Sequence, residues 1–98
     1  MYIVFDIGGT HMRVARSRNG HTLDGAASTI STPKNFDRGV AEFAKLANVF
    51  LGNEKCIAAA GSIAGPFNKD RTMLLRAPHL PDWMGKPIMA KFKSTQMI

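Results

Sequence analysis

The sequence predicts an α/β fold in which one mixed sheet packs against a crossover helix. Two apolar segments, residues 1–5 and 55–63, have the composition of strands. Between them, apolar residues recur every three or four positions over residues 36–50, which is the spacing of one helical face. Because a helical connection brings a second strand back parallel to the first, we expect one α/β layer.

The first two predicted strands are separated by a glycine turn. Residues 1–5 are apolar on both faces, which is typical of a central strand that is covered on both sides. Residues 11–18 alternate in polarity, with Met12 and Val14 on one face and Ser17 on the opposite, polar face. This period of two indicates a half-buried strand.

The third strand and the helix follow in order. Asn19-Gly20 predicts a tight hairpin turn, and residues 23–30 are predicted to form the third strand. Asn35 suits the N-cap of the helix, and Gly52 suits the position that ends it. The apolar face of this helix is assigned to core packing, and its residues are Phe36, Val40, Phe43, Ala47 and Phe50.

The fourth strand completes the topology. Residues 55–63 are small and apolar and predict a fully buried strand, parallel to the first. The resulting strand order, 3-2-1-4, is that of a ribonuclease-H-like layer. The remaining chain is rich in loops, with a turn at Gly65-Pro66, a short strand over residues 71–75 and an amphipathic helix over residues 87–92.

Composition narrows the possible function classes. The 98 residues suffice for one small domain, and no run of about twenty apolar residues predicts a membrane span. The only cysteine, Cys56, lies in an apolar run and is expected to be a buried structural thiol in the cytoplasm. Most of the net charge of +6 comes from residues 55–98, where the cations are scattered. This distribution favours a solvated face or an acidic partner domain over nucleic acid.

The turn after the first strand has the composition of a phosphate site. Gly8 and Gly9 lack side chains, so the turn is free to adopt positive φ, and an anion can reach successive N–H groups. Thr10 adds a hydroxyl group. Asp6 would repel a polyphosphate unless a divalent cation such as Mg²⁺ lay between them. A simple Gly-Gly hairpin is the competing interpretation.

Three segments in this order resemble the ROK family of sugar kinases and the bacterial glucokinases, within the actin-like ATPase superfamily. The first is Asp6-Ile7-Gly8-Gly9-Thr10 with Arg13 shortly after it. The others are residues 64–66, Ala-Gly-Pro, and residues 77–83, Ala-Pro-His-Leu-Pro-Asp-Trp. His79 departs from the family, which usually has asparagine there, and His11 stands where lysine or asparagine is common.

The resemblance implies ATP and Mg²⁺ as cofactors and a hexose as substrate. It implies contacts with the ATP phosphates and Mg²⁺ for Asp6, Ile7, Gly8, Gly9, Thr10 and Arg13, with Asp6 reaching the metal through water. It implies sugar contacts for Gly65, Pro66 and His79.

The resemblance also implies that parts of the kinase lie outside this chain. The general-base aspartate is expected beyond Ile98, so no catalytic residue is assigned within residues 1–98, and neither is the zinc site that many members carry. Residues 1–98 are interpreted as the small N-terminal domain of a two-domain, glucokinase-like enzyme, expected to be homo-oligomeric and inactive when isolated. Two alternatives remain: a fragment of a sugar-responsive transcriptional regulator, and a non-catalytic module that self-associates.

Overall fold

The computed structural model describes residues 1–63, 65–70 and 72–93. It contains one four-stranded sheet of order β3-β2-β1-β4. The predicted mixed α/β fold and strand order are therefore confirmed. The elements are β1 (Tyr2–Ile7), β2 (His11–Ser17), β3 (Ser28–Ser31), α1 (Phe36–Leu51), β4 (Ala58–Ile63), a 3₁₀ helix (Pro81–Trp83) and α2 (Ile88–Lys93). No helix in these described ranges has the length and hydropathy to cross a bilayer.

β1 lies in the middle of the sheet and extends further than the apolar run predicts. It pairs antiparallel with β2 and parallel with β4, as expected for a return through the crossover helix α1. The strand continues through Ile7 because Asp6 pairs with Arg13 of β2 and with Ser62 of β4. Asp6 therefore lies within the ladder and not after its end.

The connection between β2 and β3 differs from the prediction. Residues 18–27 form a long loop, so the predicted tight hairpin is wrong. The third strand is present, but it covers Ser28–Ser31 and not the predicted residues 23–30. The Asn19 side chain accepts hydrogen bonds from the N–H groups of His21 and Thr22, which favours a local turn over strand pairing. Ser17 is buried, although it lies on the polar face, because its hydroxyl donates to the Thr22 carbonyl at 2.6 Å.

α1 begins and ends where the sequence predicts. The Asn35 side chain accepts a hydrogen bond from the Arg38 N–H, and the Gly52 N–H donates to the Asn48 carbonyl. The predicted apolar face is confirmed at Phe36, Phe43 and Ala47, while Val40 and Phe50 are only partly buried. The buried face also includes Gly39 and Leu51. It packs on the sheet face that presents Ile3, Ile7, Met12 and Val14.

The other face of the sheet remains partly open. Val4 is only half-buried, so the expectation that the first strand is covered on both faces is wrong within the described ranges. β4 lies at the edge of the sheet, and its Ala60, Gly61 and Ser62 are exposed, so it is not the fully buried strand that its composition predicts. Cys56, just before β4, is half-buried, and this burial raises the pKa of its thiol.

The segment after β4 is anchored by a few large side chains. Trp83 is fully buried. Its ring packs edge to face against Phe36, with the ring centroids 5.3 Å apart, and its Nε1 donates a hydrogen bond to the Pro33 carbonyl at 3.1 Å. A Cβ at Gly39 would collide with its ring, so a glycine is required there.

Of the two short elements predicted in this segment, the helix is present, and the strand is represented only by isolated bridges. The predicted strand over residues 71–75 reduces to isolated bridges of Leu74 with Phe67 and Met84, and Arg71 lies outside the described residues. The helix predicted over residues 87–92 is observed as α2 (Ile88–Lys93), shifted by one residue. Ala64, in the predicted Ala-Gly-Pro segment, is also outside the described residues.

Candidate functional site

An open cleft of about 520 Å³ lies where β1 ends and β2 begins. Its lining combines the β1–β2 turn with polar side chains of the open sheet face, and it consists of Asp6, Gly8, Gly9, Thr10, His11, Arg13 and Thr29. The structure therefore brings together five of the six residues predicted to contact ATP phosphates. Ile7, the sixth, is fully buried in the core, so only its backbone is available to the site.

A row of polar side chains crosses all four strands at the floor of the cleft. Ser62, Asp6, Arg13 and Thr29 are paired in register from β4 to β3. Arg13 Nη2 donates to Asp6 Oδ2 at 2.6 Å, and Ser62 Oγ donates to Asp6 Oδ1 at 3.0 Å. The hydrogen bond from Arg13, followed by that from Ser62, lowers the pKa of Asp6. Asp6 is therefore ionised and already paired with a cation.

The Asp6–Arg13 ion pair was not predicted, although the sequence holds a signal for it. Once Gly8 and His11 close the turn, antiparallel register places Ile7 opposite Met12 and Asp6 opposite Arg13. The two side chains are then neighbours on one sheet face. The contribution of Ser62 depends on the parallel register of a distant strand, which no local pattern fixes.

The turn itself uses its glycines for close packing. The Gly8 N–H donates to the His11 carbonyl at 2.8 Å. Neither Gly8 nor Gly9 adopts the left-handed conformation, so the turn does not use the positive φ that its glycines allow. A Cβ at Gly9 would instead collide with the Cβ of His79, so a glycine is required here because a second segment approaches the backbone.

The carbonyl groups of the turn are bound by the connection between β3 and α1. Thr32 Oγ1 donates to the Gly8 carbonyl at 2.8 Å, and the Thr32 N–H donates to the Thr10 carbonyl at 2.9 Å. Lys34 Nζ donates to the Gly9 carbonyl at 2.6 Å. Within the described part of the chain, the N–H groups of Gly9 and Thr10 have no hydrogen-bond partner. Sequence reasoning missed Thr32 and Lys34 because their role depends on tertiary placement.

The three residues predicted to contact sugar lie outside the cleft lining. His79 packs against Gly9 and is exposed. Gly65 adopts φ 116°, and a Cβ there would collide with the Arg76 carbonyl. The Pro66 carbonyl accepts a hydrogen bond from the Leu75 N–H at 2.8 Å. The structure therefore brings His79 to the Gly8–Thr10 turn and packs Gly65 and Pro66 against residues 74–76.

The donor set of the cleft suits a metal ion only through water. The described residues contain no group of three His, Cys, Asp or Glu side chains that could hold a metal. Asp6 is the single carboxylate in the cleft lining, and each of its oxygens already accepts one hydrogen bond. A carboxylate oxygen has a second lone pair, so Asp6 retains the capacity to accept from a water molecule bound to Mg²⁺.

Comparison with solved structures relates this arrangement to known folds. A glucokinase from Streptomyces griseus, in complex with glucose and AMPPNP, superposes with a TM-score of 0.82 at 22% identity. A ROK hexokinase from Thermus thermophilus gives a TM-score of 0.81 at 20% identity. The chain has the fold of the ROK family. A ROK family protein from Streptococcus pneumoniae, in complex with sucrose, gives a TM-score of 0.74 at 22% identity.

The likeness to ROK proteins covers nearly all of this chain but a minor part of theirs. The match spans 95% of this chain and 29% of the Streptomyces griseus glucokinase, and 97% of this chain and 32% of each of the other two. The chain therefore spans about a third of the length of these ROK structures. No protein-family profile and no curated protein sequence matches it.

Proposed function

We propose that this chain is the phosphate-binding N-terminal domain of an ATP-dependent hexose kinase of glucokinase type. In the longer protein, the γ-phosphoryl group of ATP would be transferred to a sugar hydroxyl. The observation that carries the proposal is the turn at Gly8–Thr10. Among the described residues, the Gly9 and Thr10 N–H groups of this turn have no hydrogen-bond partner, and they lie beside the Arg13 guanidinium in an open cleft. Such groups bind phosphate oxygens through charge-assisted hydrogen bonds.

Each group of the turn has a defined role in this proposal. The N–H groups of Gly9 and Thr10 bind phosphate oxygens, and the exposed Thr10 hydroxyl adds a further donor. Arg13 supplies positive charge, while Asp6 fixes its guanidinium through the 2.6 Å ion pair. Ile7 contributes only by positioning the backbone, because its side chain is buried.

Mg²⁺ is part of the proposal as a partner of ATP. Asp6 would hold the hydrated ion through a water molecule, since its second lone pairs face an open cleft. When bound, the metal neutralises charge on the phosphates as the phosphoryl group moves.

Two observations support the proposed binding of a sugar: the shared fold and the position of His79. The Streptomyces griseus structure holds glucose together with AMPPNP, and the present chain shares its fold. We assign sugar contacts to Gly65, Pro66 and His79, with His79 lying against the phosphate turn at Gly9. Proximity of sugar and γ-phosphate is what phosphoryl transfer requires. We assign no general base within residues 1–98, so these residues alone should bind phosphate without transferring it.

Two further expectations belong to this proposal. The free thiol of Cys56 fits a reducing cytoplasm, where ATP is available. Homodimer formation is favoured by the exposed edge of β4 (Ala58–Ile63), because an edge strand offers unpaired backbone groups to a second copy of the chain. Light scattering at several protein concentrations tests this, and a concentration-independent monomer mass contradicts it.

Calorimetric titration of the 98-residue chain tests the proposed function. Magnesium tripolyphosphate is expected to bind within about three-fold of the affinity of Mg·AMPPNP, and adenosine is expected not to bind, because only phosphates contact this domain. Arg13→Gln should weaken binding about ten-fold. Arg18→Gln is the matched control, because the side chains of Arg18 and Arg13 are 61% and 59% exposed and each pairs with an aspartate. Equal losses in both variants, or binding of adenosine alone, would contradict the proposal.

A further inference from the structure

The connection between β3 and α1 acts on the phosphate turn without lining the cleft. Thr32 and Lys34 are absent from the cleft wall, yet together they bind the carbonyls of Gly8, Gly9 and Thr10. Three consecutive carbonyls of one turn are thus held by two residues of a single short segment.

Binding a carbonyl fixes the direction of the next N–H group. In a planar trans peptide, the C=O of one residue and the N–H of the following residue point in opposite directions. The hydrogen bond from Thr32 Oγ1 to the Gly8 carbonyl therefore directs the Gly9 N–H away from the β3–α1 connection. Lys34 Nζ on the Gly9 carbonyl directs the Thr10 N–H in the same way. These are the two N–H groups of the turn that find no partner in residues 1–63, 65–70 and 72–93.

The segment that carries these donors is itself firmly held. The Pro33 carbonyl accepts a hydrogen bond from Trp83 Nε1, and the Phe36 N–H donates to Asp82 Oδ2 at 2.8 Å. Asn35 caps the helix that follows directly. Because Pro33 lies between Thr32 and Lys34 and Phe36 follows them, these anchors give both donors a defined position relative to the turn.

Lys34 also links the turn to the segment that carries His79. Its Nζ donates to the His79 carbonyl at 3.2 Å as well as to the Gly9 carbonyl. The β-carbon of His79 lies against Gly9. One ammonium group therefore joins the backbone of the phosphate turn to the backbone of the segment assigned to sugar.

We propose that Lys34, with Thr32, is a positioning residue that presets the N–H groups of Gly9 and Thr10 for phosphate and couples this turn to the His79 segment. The proposal rests on the proposed function. Lys34 acts through the turn backbone and not by touching phosphate. Its effect should therefore depend on a donor at the right distance, and not on positive charge alone.

Three variants of the 98-residue chain separate these effects. Lys34→Met removes the donor and the charge, Lys34→Arg retains both, and Lys45→Met removes the same charge from an exposed position of α1. Calorimetry with Mg·AMPPNP should show about three- to ten-fold weaker binding for Lys34→Met, which is the range for one net hydrogen bond. Lys34→Arg should recover at least half of the binding free energy that Lys34→Met loses. The dissociation constant of Lys45→Met should stay within about two-fold of that of the unmodified chain.

The ligand-free proteins provide a second, independent measurement. In ¹H–¹⁵N spectra, the amide signals of Gly9, Thr10 and His79 should move in Lys34→Met and stay in place in Lys45→Met. Thr32→Val should move the Gly9 amide in particular, because it removes the donor to the Gly8 carbonyl.

The outcomes distinguish this inference from the proposed function. If the unmodified chain binds Mg·AMPPNP and Lys34→Met binds equally well with unmoved amides, the positioning role is overturned and the proposed function stands. Equal weakening by Lys34→Met and Lys45→Met would also overturn it, because net charge would then explain the effect. If the unmodified chain binds neither Mg·AMPPNP nor magnesium tripolyphosphate, both proposals fall.

Discussion

Two glycine turns of this chain satisfy their backbone groups in opposite ways. In the turn at residues 19–22, side chains of the turn and its flank take up the N–H groups: Asn19 Oδ1 accepts from His21 and Thr22, and Ser17 Oγ accepts from Gly20. In the turn at Gly8–Thr10, other segments take up the carbonyls, and two N–H groups remain unpaired within the described chain.

Under the proposed function, this difference explains why one glycine turn would bind phosphate and the other would not. A turn whose N–H groups bind its own side chains has no donors left for an anion. A turn whose carbonyls are bound from behind keeps its donors and fixes their direction. Gly20 adopts φ 79°, whereas Gly8 and Gly9 avoid the left-handed region, so positive φ is not the distinguishing feature.

Removing the anchor of the His79 segment should disturb one turn and spare the other. Trp83→Ala is expected to lower the free energy of unfolding by about 3–5 kcal/mol, because it empties a fully buried site. In urea denaturation, Val49→Ala serves as the control and should change stability by less than about 0.5 kcal/mol, since Val49 is 74% exposed. If Trp83→Ala still folds, its amide shifts should appear at Gly9 and not at Gly20. Equal shifts at both turns would break the comparison.

A side chain added to each turn should give different consequences. Gly9→Ala is expected to cost about 1–3 kcal/mol of stability, because its Cβ collides with His79, and to weaken Mg·AMPPNP binding at least about ten-fold. Gly20→Ala should cost about 1–2 kcal/mol through its positive φ, with unchanged binding. Chemical denaturation and calorimetry measure both quantities. A loss of binding in Gly20→Ala would contradict the distinction.

Removing the side chain that closes the second turn should affect stability alone. Asn19→Ala deprives two N–H groups of their acceptor and is expected to cost about 1 kcal/mol. Asn53→Ala is the control, because within the described ranges its side chain makes no hydrogen bond, and its urea midpoint should stay near that of the unmodified chain. Phosphate affinity should be unchanged in both. If Asn19→Ala created a new phosphate site, free N–H groups alone would suffice and bound carbonyls would be unnecessary.

The ion pair at the floor of the cleft should give a small, pH-dependent effect. Because the pKa of Asp6 is lowered in the folded state, its contribution to stability is present above the ordinary value of 3.8 and is lost as pH falls through the lowered pKa. Asp6→Asn should cost about 0.5 kcal/mol near neutral pH, since both side chains are about half exposed. Urea midpoints measured from pH 7 to pH 2 should converge with those of the unmodified chain at the acid end. A constant difference across this range would contradict the ion-pair account.

Local chemistry explains why the fold could be predicted from the sequence. The α1 stripe, its cap at Asn35 and its end at Gly52 depend on residues within a few positions of one another. The parallel direction of β1 and β4 follows because a helix between two strands lets the second return in the same direction as the first. The predicted bounds of β3 differ from the observed ones because the Asn19 side chain binds nearby backbone N–H groups, and this local turn competes with strand pairing. The burial of β4 was overestimated because composition does not reveal which strand lies at the edge.

The site could be predicted only in part. Asp6, Gly8, Gly9, Thr10 and Arg13 are close in sequence, so their motif locates them together in one cleft. A glycine is required at position 9 because His79, seventy residues away, packs against it. The donors Thr32 and Lys34 come from a third segment. Contacts between distant segments depend on the packed fold, and a single sequence holds no local signal for them.

We propose that the Gly8–Thr10 turn binds the phosphates of ATP, and a ¹H–¹⁵N titration of the 98-residue chain with Mg·AMPPNP tests this residue by residue. The largest amide shifts should occur at Gly9 and Thr10, while the amides of Gly20, His21 and Thr22 should remain in place. Shifts centred elsewhere, with the Gly9 and Thr10 amides unmoved at saturation, would contradict it.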